Sequence, residues 1–132
     1  MLLLLIIADD FTGALDTGVQ FAAYGAATRV MVKDQVDFAS CDAQVLVVDT
    51  ETRHLPPEKA YQIVEELTRA ACRAGIRYIY KKTDSALRGN IGAELAAVLQ
   101  ASNNRQLPFL PAFPQNGRTT RDGICLLYTS DA

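Results

Sequence analysis

The chain opens on a short, unbroken apolar run, Leu2 to Ala8, that stops at Asp9-Asp10. A run of that length predicts a strand buried on both faces, as in a parallel sheet. From Thr12 to Tyr24 the spacing turns helical, with Leu15, Val19 and Ala22/Ala23 on one side and Gly25 as a stop. Thr28 to Val32 and Gln44 to Val48 predict two further strands. Pro56-Pro57-Glu58 then opens an amphipathic helix in which Ala60, Val64, Leu67, Ala71 and Ala74 recur at helical spacing before Gly75. Ile76 to Lys81 predicts a fourth strand, Asn90 to Ala101 a third helix with Ile91, Leu95, Val98 and Leu99, and Leu107 to Leu110 a fifth strand. A polar loop is expected over 115–122. Strands alternating with helices of this length predict an α/β domain with a mainly parallel sheet, helices on both faces, and a ligand site beyond the carboxyl ends of the strands.

Composition changes this picture little: 132 residues, 49% hydrophobic and 21% charged, make an ordinary globular domain. Charge distribution matters more than the formal net of −2. Residues 1–76 carry eleven acids against six bases, and residues 77–122 seven bases against three acids. The second half therefore suits an anionic ligand. Three cysteines without a Cys-x-x-Cys spacing argue against a disulfide framework or a zinc site and favour a reducing compartment. The opening apolar run lacks a preceding Lys or Arg, and nothing approaches the roughly 20 apolar residues of a membrane span. A cytoplasmic protein with no membrane or nucleic-acid partner is expected.

Four polar clusters fall at predicted strand ends. Asp9-Asp10, before a helix start, stands where a substrate hydroxyl can be held or deprotonated, although one of Asp10 and Thr12 can equally cap the helix. Asp49-Thr50-Glu51-Thr52-Arg53 offers a guanidinium suited to a carboxylate, or simply a surface pair with Glu51. The richest cluster is Lys81-Lys82-Thr83-Asp84-Ser85-Ala86-Leu87-Arg88-Gly89-Asn90, with cations, hydroxyls and a carboxylate fit for a polyhydroxylated acid. Strand alternation lets only one of Lys81 and Lys82 face a site, and the sequence leaves open which. Pro114 to Gly123 reads as a loop that either closes over a ligand or merely connects. The phosphate-loop and Gly-x-Gly-x-x-Gly patterns are missing, and the single histidine, His54, has no neighbour with which to bind metal.

Taken together, Ile7-Ala8-Asp9-Asp10-Phe11-Thr12-Gly13-Ala14, Lys81 to Gly89, and Pro111-Ala112-Phe113-Pro114-Gln115-Asn116-Gly117-Arg118 resemble the four-carbon acid sugar kinase family over residues 3–124. The resemblance implies the N-terminal, sugar-acid-binding domain of a two-domain kinase that phosphorylates the terminal hydroxyl of threonate, erythronate or their 3-oxo relatives. It implies Asp10, or failing that Asp9, as the group that orients the hydroxyl. It further implies Asp84 and Ser85, with Thr83 beside them, on substrate hydroxyls, and Arg53, Lys82 and Arg88 on the carboxylate. ATP and Mg²⁺ would be bound mainly by a nucleotide-binding domain C-terminal to this chain, without which the fragment is expected to be inactive. Residues 125–132 resemble a translated adapter sequence and are expected to be non-native and to complete no element. Two rival readings stand beside the kinase. One is a haloacid-dehalogenase-like phosphatase, whose Asp-x-Asp is not met by Asp9 and Phe11 or by Asp10 and Thr12. The other is a non-catalytic sugar-acid-binding module.

Overall fold

A computed structural model describes residues 1–103 and 106–127. Four parallel strands form the central sheet: β1 (Leu4–Ala8), β2 (Thr28–Val32), β3 (Val45–Asp49) and β4 (Tyr78–Lys82), in the order β2-β3-β1-β4. The run read as continuously apolar, β1, forms the central pair with β3. Leu5, Ile6, Ile7, Leu46, Val47 and Val48 are all fully buried, each worth about 1.5–3 kcal/mol of transfer free energy.

Helices cover both faces, as the alternation predicted. On one face α2 (Pro57–Arg73) and α3 (Ile91–Ala101) enclose Leu5, Ile7, Leu46 and Val48 with Val64, Ala71, Ala97 and Val98. On the other, α1 (Phe11–Ala23) packs Ala14 against Ile6, Ala8, Val45 and Val47. The face that α1 presents is not the one its apolar spacing suggests. Gly13, Ala14 and Gly18 are buried, whereas Leu15 and Val19 remain 46% and 58% exposed. The helix lies too close to the sheet for larger side chains: a Cβ on Gly18 would stand 3.1 Å from Val30 Cγ2.

The C-terminal quarter departs from expectation. Residues 107–110 form no strand, because Pro108 and Pro111 remove the ladder donors that pairing with β4 would need. The expected loop over 115–122 instead contains a 3₁₀ turn (Pro114–Asn116) and β5 (Arg118–Arg121), paired antiparallel with β6 (Ile124–Leu127). Asp122 and Gly123, at φ 51° and 77°, form the two-residue hairpin turn between them. Residues 125–127, expected to complete no element, thus form most of β6, while 128–132 lie outside the described residues. No helix among the described residues is long and apolar enough to cross a membrane.

Candidate functional site

Sheet register creates the site. Ala8 pairs with Asp49 on one side and with Lys82 on the other, so the three strand-end motifs leave the sheet from one row. Asp9-Asp10, Asp49 to Arg53 and Lys82 to Arg88 converge there, at the carboxyl edge where open parallel sheets hold their ligands. A cleft of about 1310 Å³ opens above this edge and along β4, bordered by Asp10, Arg53, Lys82, Asp84, Ser85 and Arg118 among others.

Arg53 is the hub. Its Nε and Nη2 donate to Asp9 Oδ2 and Oδ1 at 3.1 and 3.0 Å, a two-pronged pair. Nη1 stands 3.2 Å from Asp10 Oδ2, and Nη2 lies 3.9 Å from Asp84 Oδ1. The expected surface pair with Glu51 is not what forms. Asp9 is buried beneath the cleft floor, whereas the Asp10 side chain is 28% exposed. Asp10 also accepts from the Gly13 amide at 2.9 Å, so it caps α1 and faces the cleft at once. Asp84, buried, accepts from Arg88 Nε at 2.6 Å, Nη2 at 3.0 Å and the Arg88 amide at 3.0 Å. Burial alone would raise the Asp84 carboxyl, but the hydrogen bonds and charge of Arg88, with Arg53 beyond, outweigh it and hold the group at about 2. It stays ionised.

The lysine ambiguity resolves by packing. Lys81 points to the α3 face, its side chain 3% exposed, with Nζ 3.3 Å from Glu94 Oε1 and 2.8 Å from the Lys82 carbonyl. Glu94 in turn accepts from Thr52 Oγ1 at 3.0 Å, Thr52 and Thr50 share a 2.8 Å hydroxyl contact, and Thr50 donates to the Ala8 carbonyl. Burial pulls the Lys81 ammonium down and pushes the Glu94 carboxyl up, each offset in part by the other's charge. Lys82 borders the cleft beside Gly13. Its Nζ donates to the Thr83 carbonyl at 2.7 Å and has no carboxylate within 4 Å among the described residues.

Backbone strain collects here. Glu51 and Leu87 adopt φ of 50° and 62°, the first between Asp49 and Arg53, the second between Asp84 and Arg88. Such positions persist where the surroundings over-determine them. Glu51 donates its amide to Asp49 Oδ1, and Asn90 Nδ2 ties the Thr52 and Leu55 carbonyls to the start of α3. Burial first, then its contact with Glu51, lifts the Asp49 carboxyl to about 6. At Gly89 (φ 94°) a Cβ would come within 2.7 Å of Asp9 Oδ2, so the chain passes against the Asp9–Arg53 pair.

All eight residues singled out from sequence, Asp9, Asp10, Arg53, Lys82, Thr83, Asp84, Ser85 and Arg88, come together. Sequence reasoning gave no role to Arg118, whose Nη1 donates to Ser85 Oγ at 2.9 Å, nor to the Lys81–Glu94–Thr52 chain beneath the site.

A family model described as the sugar-binding N-terminal domain matches residues 4–131. The chain belongs to that family. This sugar-binding domain is 43% identical over 125 residues to the D-threonate kinase of Salmonella typhimurium, covering 94% of this chain and 29% of the relative. It is 36% identical over 127 residues to the D-erythronate kinase of Heliobacterium modesticaldum, again covering 94% and 29%. Its fold matches a crystal structure of a domain of unknown function from Bordetella bronchiseptica with bound citrate, a domain-swapped dimer. The TM-score is 0.82 at 35% identity, covering 96% of this chain and 33% of that one. The homologues are kinases of four-carbon acid sugars, and the domain spans about a third or less of their length.

Proposed function

We propose that this domain supplies the substrate-binding half of an ATP-dependent kinase acting on the terminal hydroxyl of a four-carbon acid sugar such as threonate or erythronate. The observation that carries the reading is one juxtaposition. The Lys82 ammonium, without a carboxylate partner among the described residues, shares a cleft with the partly exposed Asp10 carboxylate. An acid sugar needs just such a pair of groups, a cation for its carboxylate and an anion for its alcohols. The kinase names of the relatives, and the citrate of the solved one, support an acidic ligand.

In this reading Lys82 meets the substrate carboxylate, with the guanidinium of Arg88 at the rim. Asp10 accepts a hydrogen bond from the hydroxyl to be phosphorylated and fixes its direction. Asp9 and Arg53 act together: the buried pair locks the Arg53 fork, which holds Asp10 in place and contributes positive field for the acid. Asp84 and Ser85, with Thr83, complete the hydroxyl contacts.

The nucleotide and its metal are assigned to the remainder of the protein. This domain carries no glycine-rich phosphate loop, and no group of three or more metal-binding side chains stands together among the described residues. ATP would supply the phosphoryl group, and a cytoplasmic setting, where ATP is abundant, is part of the proposal. The test is ADP release by the protein expressed from the complete gene, against four-carbon acids and the matching uncharged polyols. Turnover confined to the acids supports the reading. Binding of acids without turnover would make the domain part of a sensing module, and phosphate release from phosphorylated acids would make it part of a phosphatase.

A further inference from the structure

Arg118 arrives at the cleft from a different part of the chain than every other charged group there. Its backbone is clamped: the Arg118 amide donates to the Phe113 carbonyl at 3.1 Å and the Phe113 amide to the Arg118 carbonyl at 2.8 Å. The tight turn through Gly117 and the β5–β6 ladder fix it on both sides. The side chain, 30% exposed, reaches Ser85 Oγ with Nη1. Asp84, its only carboxylate neighbour among the described residues, stands 3.8 Å away with both oxygens already accepting from Arg88. Among the described residues Nε and Nη2 of Arg118 make no hydrogen bond.

The other two guanidiniums at the site are spent differently. Arg53 is committed to Asp9 and Asp10, and Arg88 chelates Asp84. What remains is one ammonium, Lys82, and one guanidinium fork whose single partner is a neutral hydroxyl. A lysine gives a point charge, whereas a planar fork reads the plane of a carboxylate through two parallel bonds.

We propose that Arg118 is a specificity-determining residue, the fork that recognises the carboxylate of the acid sugar opposite Lys82, with Ser85 setting its direction. The inference rests on the acid-sugar reading above. It makes the turn through Gly117 and the start of β5, rather than the strand-end motifs alone, the segment that distinguishes a sugar acid from an uncharged polyol.

The experiment uses the protein expressed from the complete gene, with Arg118→Gln and Arg118→Lys variants. Steady-state kinetics on threonate would be run beside inhibition by its uncharged amide, with a thermal melt of each variant. Arg118→Gln is expected to raise KM for threonate about tenfold to a hundredfold, the scale of a charged hydrogen bond. Turnover at saturation and affinity for the amide should stay within about threefold, and Arg118→Lys should recover part of the loss. Equal losses for acid and amide, or a fall in turnover matching the rise in KM, would make Arg118 structural and overturn the inference. So would unchanged KM in Arg118→Gln. A wild-type protein that melts cooperatively yet ignores threonate and erythronate would overturn the acid-sugar reading itself, a distinguishable failure.

Discussion

Replacing Lys81 by Met should cost this chain about 3–5 kcal/mol, the usual penalty for orphaning one member of a buried ion pair. The side chains of Lys81 and Glu94 are 3% and 2% exposed and their charged atoms lie 3.3 Å apart. At an effective dielectric near 20 that separation corresponds to about 5 kcal/mol of attraction, offset by the desolvation of both groups. Lys81→Met leaves the Glu94 carboxylate buried with only Thr52 as donor. Glu94 already titrates above its ordinary range because of burial, so the variant should relieve itself by protonation. A carboxyl whose folded pKa is raised makes the native state bind more protons than the unfolded one. The penalty should therefore shrink as pH falls from about 8 to 5. Glu94→Gln strands the ammonium instead. Lys81 is shifted down by burial, so that penalty should shrink as pH rises. The double variant Lys81→Met/Glu94→Met removes both charges and should sit within about 1.5 kcal/mol of wild type. Urea denaturation followed by circular dichroism reads all four proteins across pH. With slopes of about 1–3 kcal/mol per molar for small domains, the single variants should move the midpoint by roughly 1 M or more. Single variants that cost under about 1 kcal/mol, or a double variant whose loss equals the sum of the singles, would refute the buried-pair account.

Three further substitutions follow from the site geometry. Gly89→Ala forces a side chain into φ 94° with its Cβ 2.7 Å from Asp9 Oδ2. It should destabilise by about 1–3 kcal/mol and loosen the Asp9–Arg53 pair, measured as a lower melting temperature with a raised KM for the acid. For pH, Asp49 at about 6 in the fold should make stability rise as pH falls from about 6 to 4, and Asp49→Asn should flatten that slope. Asp84, held at about 2, contributes stability that is complete above about 4 and lost as pH falls through 2, so Asp84→Asn should blunt the acid-side loss. Denaturation midpoints against pH decide both.

How much was legible depended on how each residue earns its place. The strands β1 and β3 were plain because both faces are buried and, apart from Asp49 at the end of β3, their residues are apolar. The helix α2 was plain because one face packs and the other is wet. The helix α1 misled for a definable reason: its inward face is built of Gly13, Ala14 and Gly18, residues too small to register as hydrophobic periodicity, while Leu15 and Val19 point out. The expected strand over 107–110 fails on Pro108 and Pro111 despite its apolar character. The β5–β6 hairpin carried a usable signal in Asp122-Gly123, masked by the polar run around it.

The site was legible as motifs but not as partnerships. Each motif follows a strand, and parallel strands align their ends, so convergence could be anticipated. Which lysine faces inward depended on Glu94, thirteen residues further along and on another element. Arg118 meets Ser85 across 33 residues of chain, a contact that no local pattern encodes. Arg53 was expected on the carboxylate of a ligand, yet in this structure it is already held by two of the protein's own carboxylates. The resemblance identified the family, and packing then separated the charged groups paired with one another from Lys82, which has no carboxylate partner among the described residues.

The central claim is that Lys82 binds the carboxylate of an acid sugar while Asp10 orients the hydroxyl to be phosphorylated. Calorimetric titration of the protein expressed from the complete gene with threonate and erythronate, paired with ADP release on the same samples, tests it most directly, with Lys82→Met and Asp10→Asn alongside. The account predicts saturable one-site binding of at least one of these acids by the wild type and a tenfold to hundredfold weaker affinity, about 1.5–3 kcal/mol, in Lys82→Met. Asp10→Asn should retain most of the affinity while turnover collapses. Undiminished affinity in Lys82→Met, or full turnover in Asp10→Asn, would contradict it.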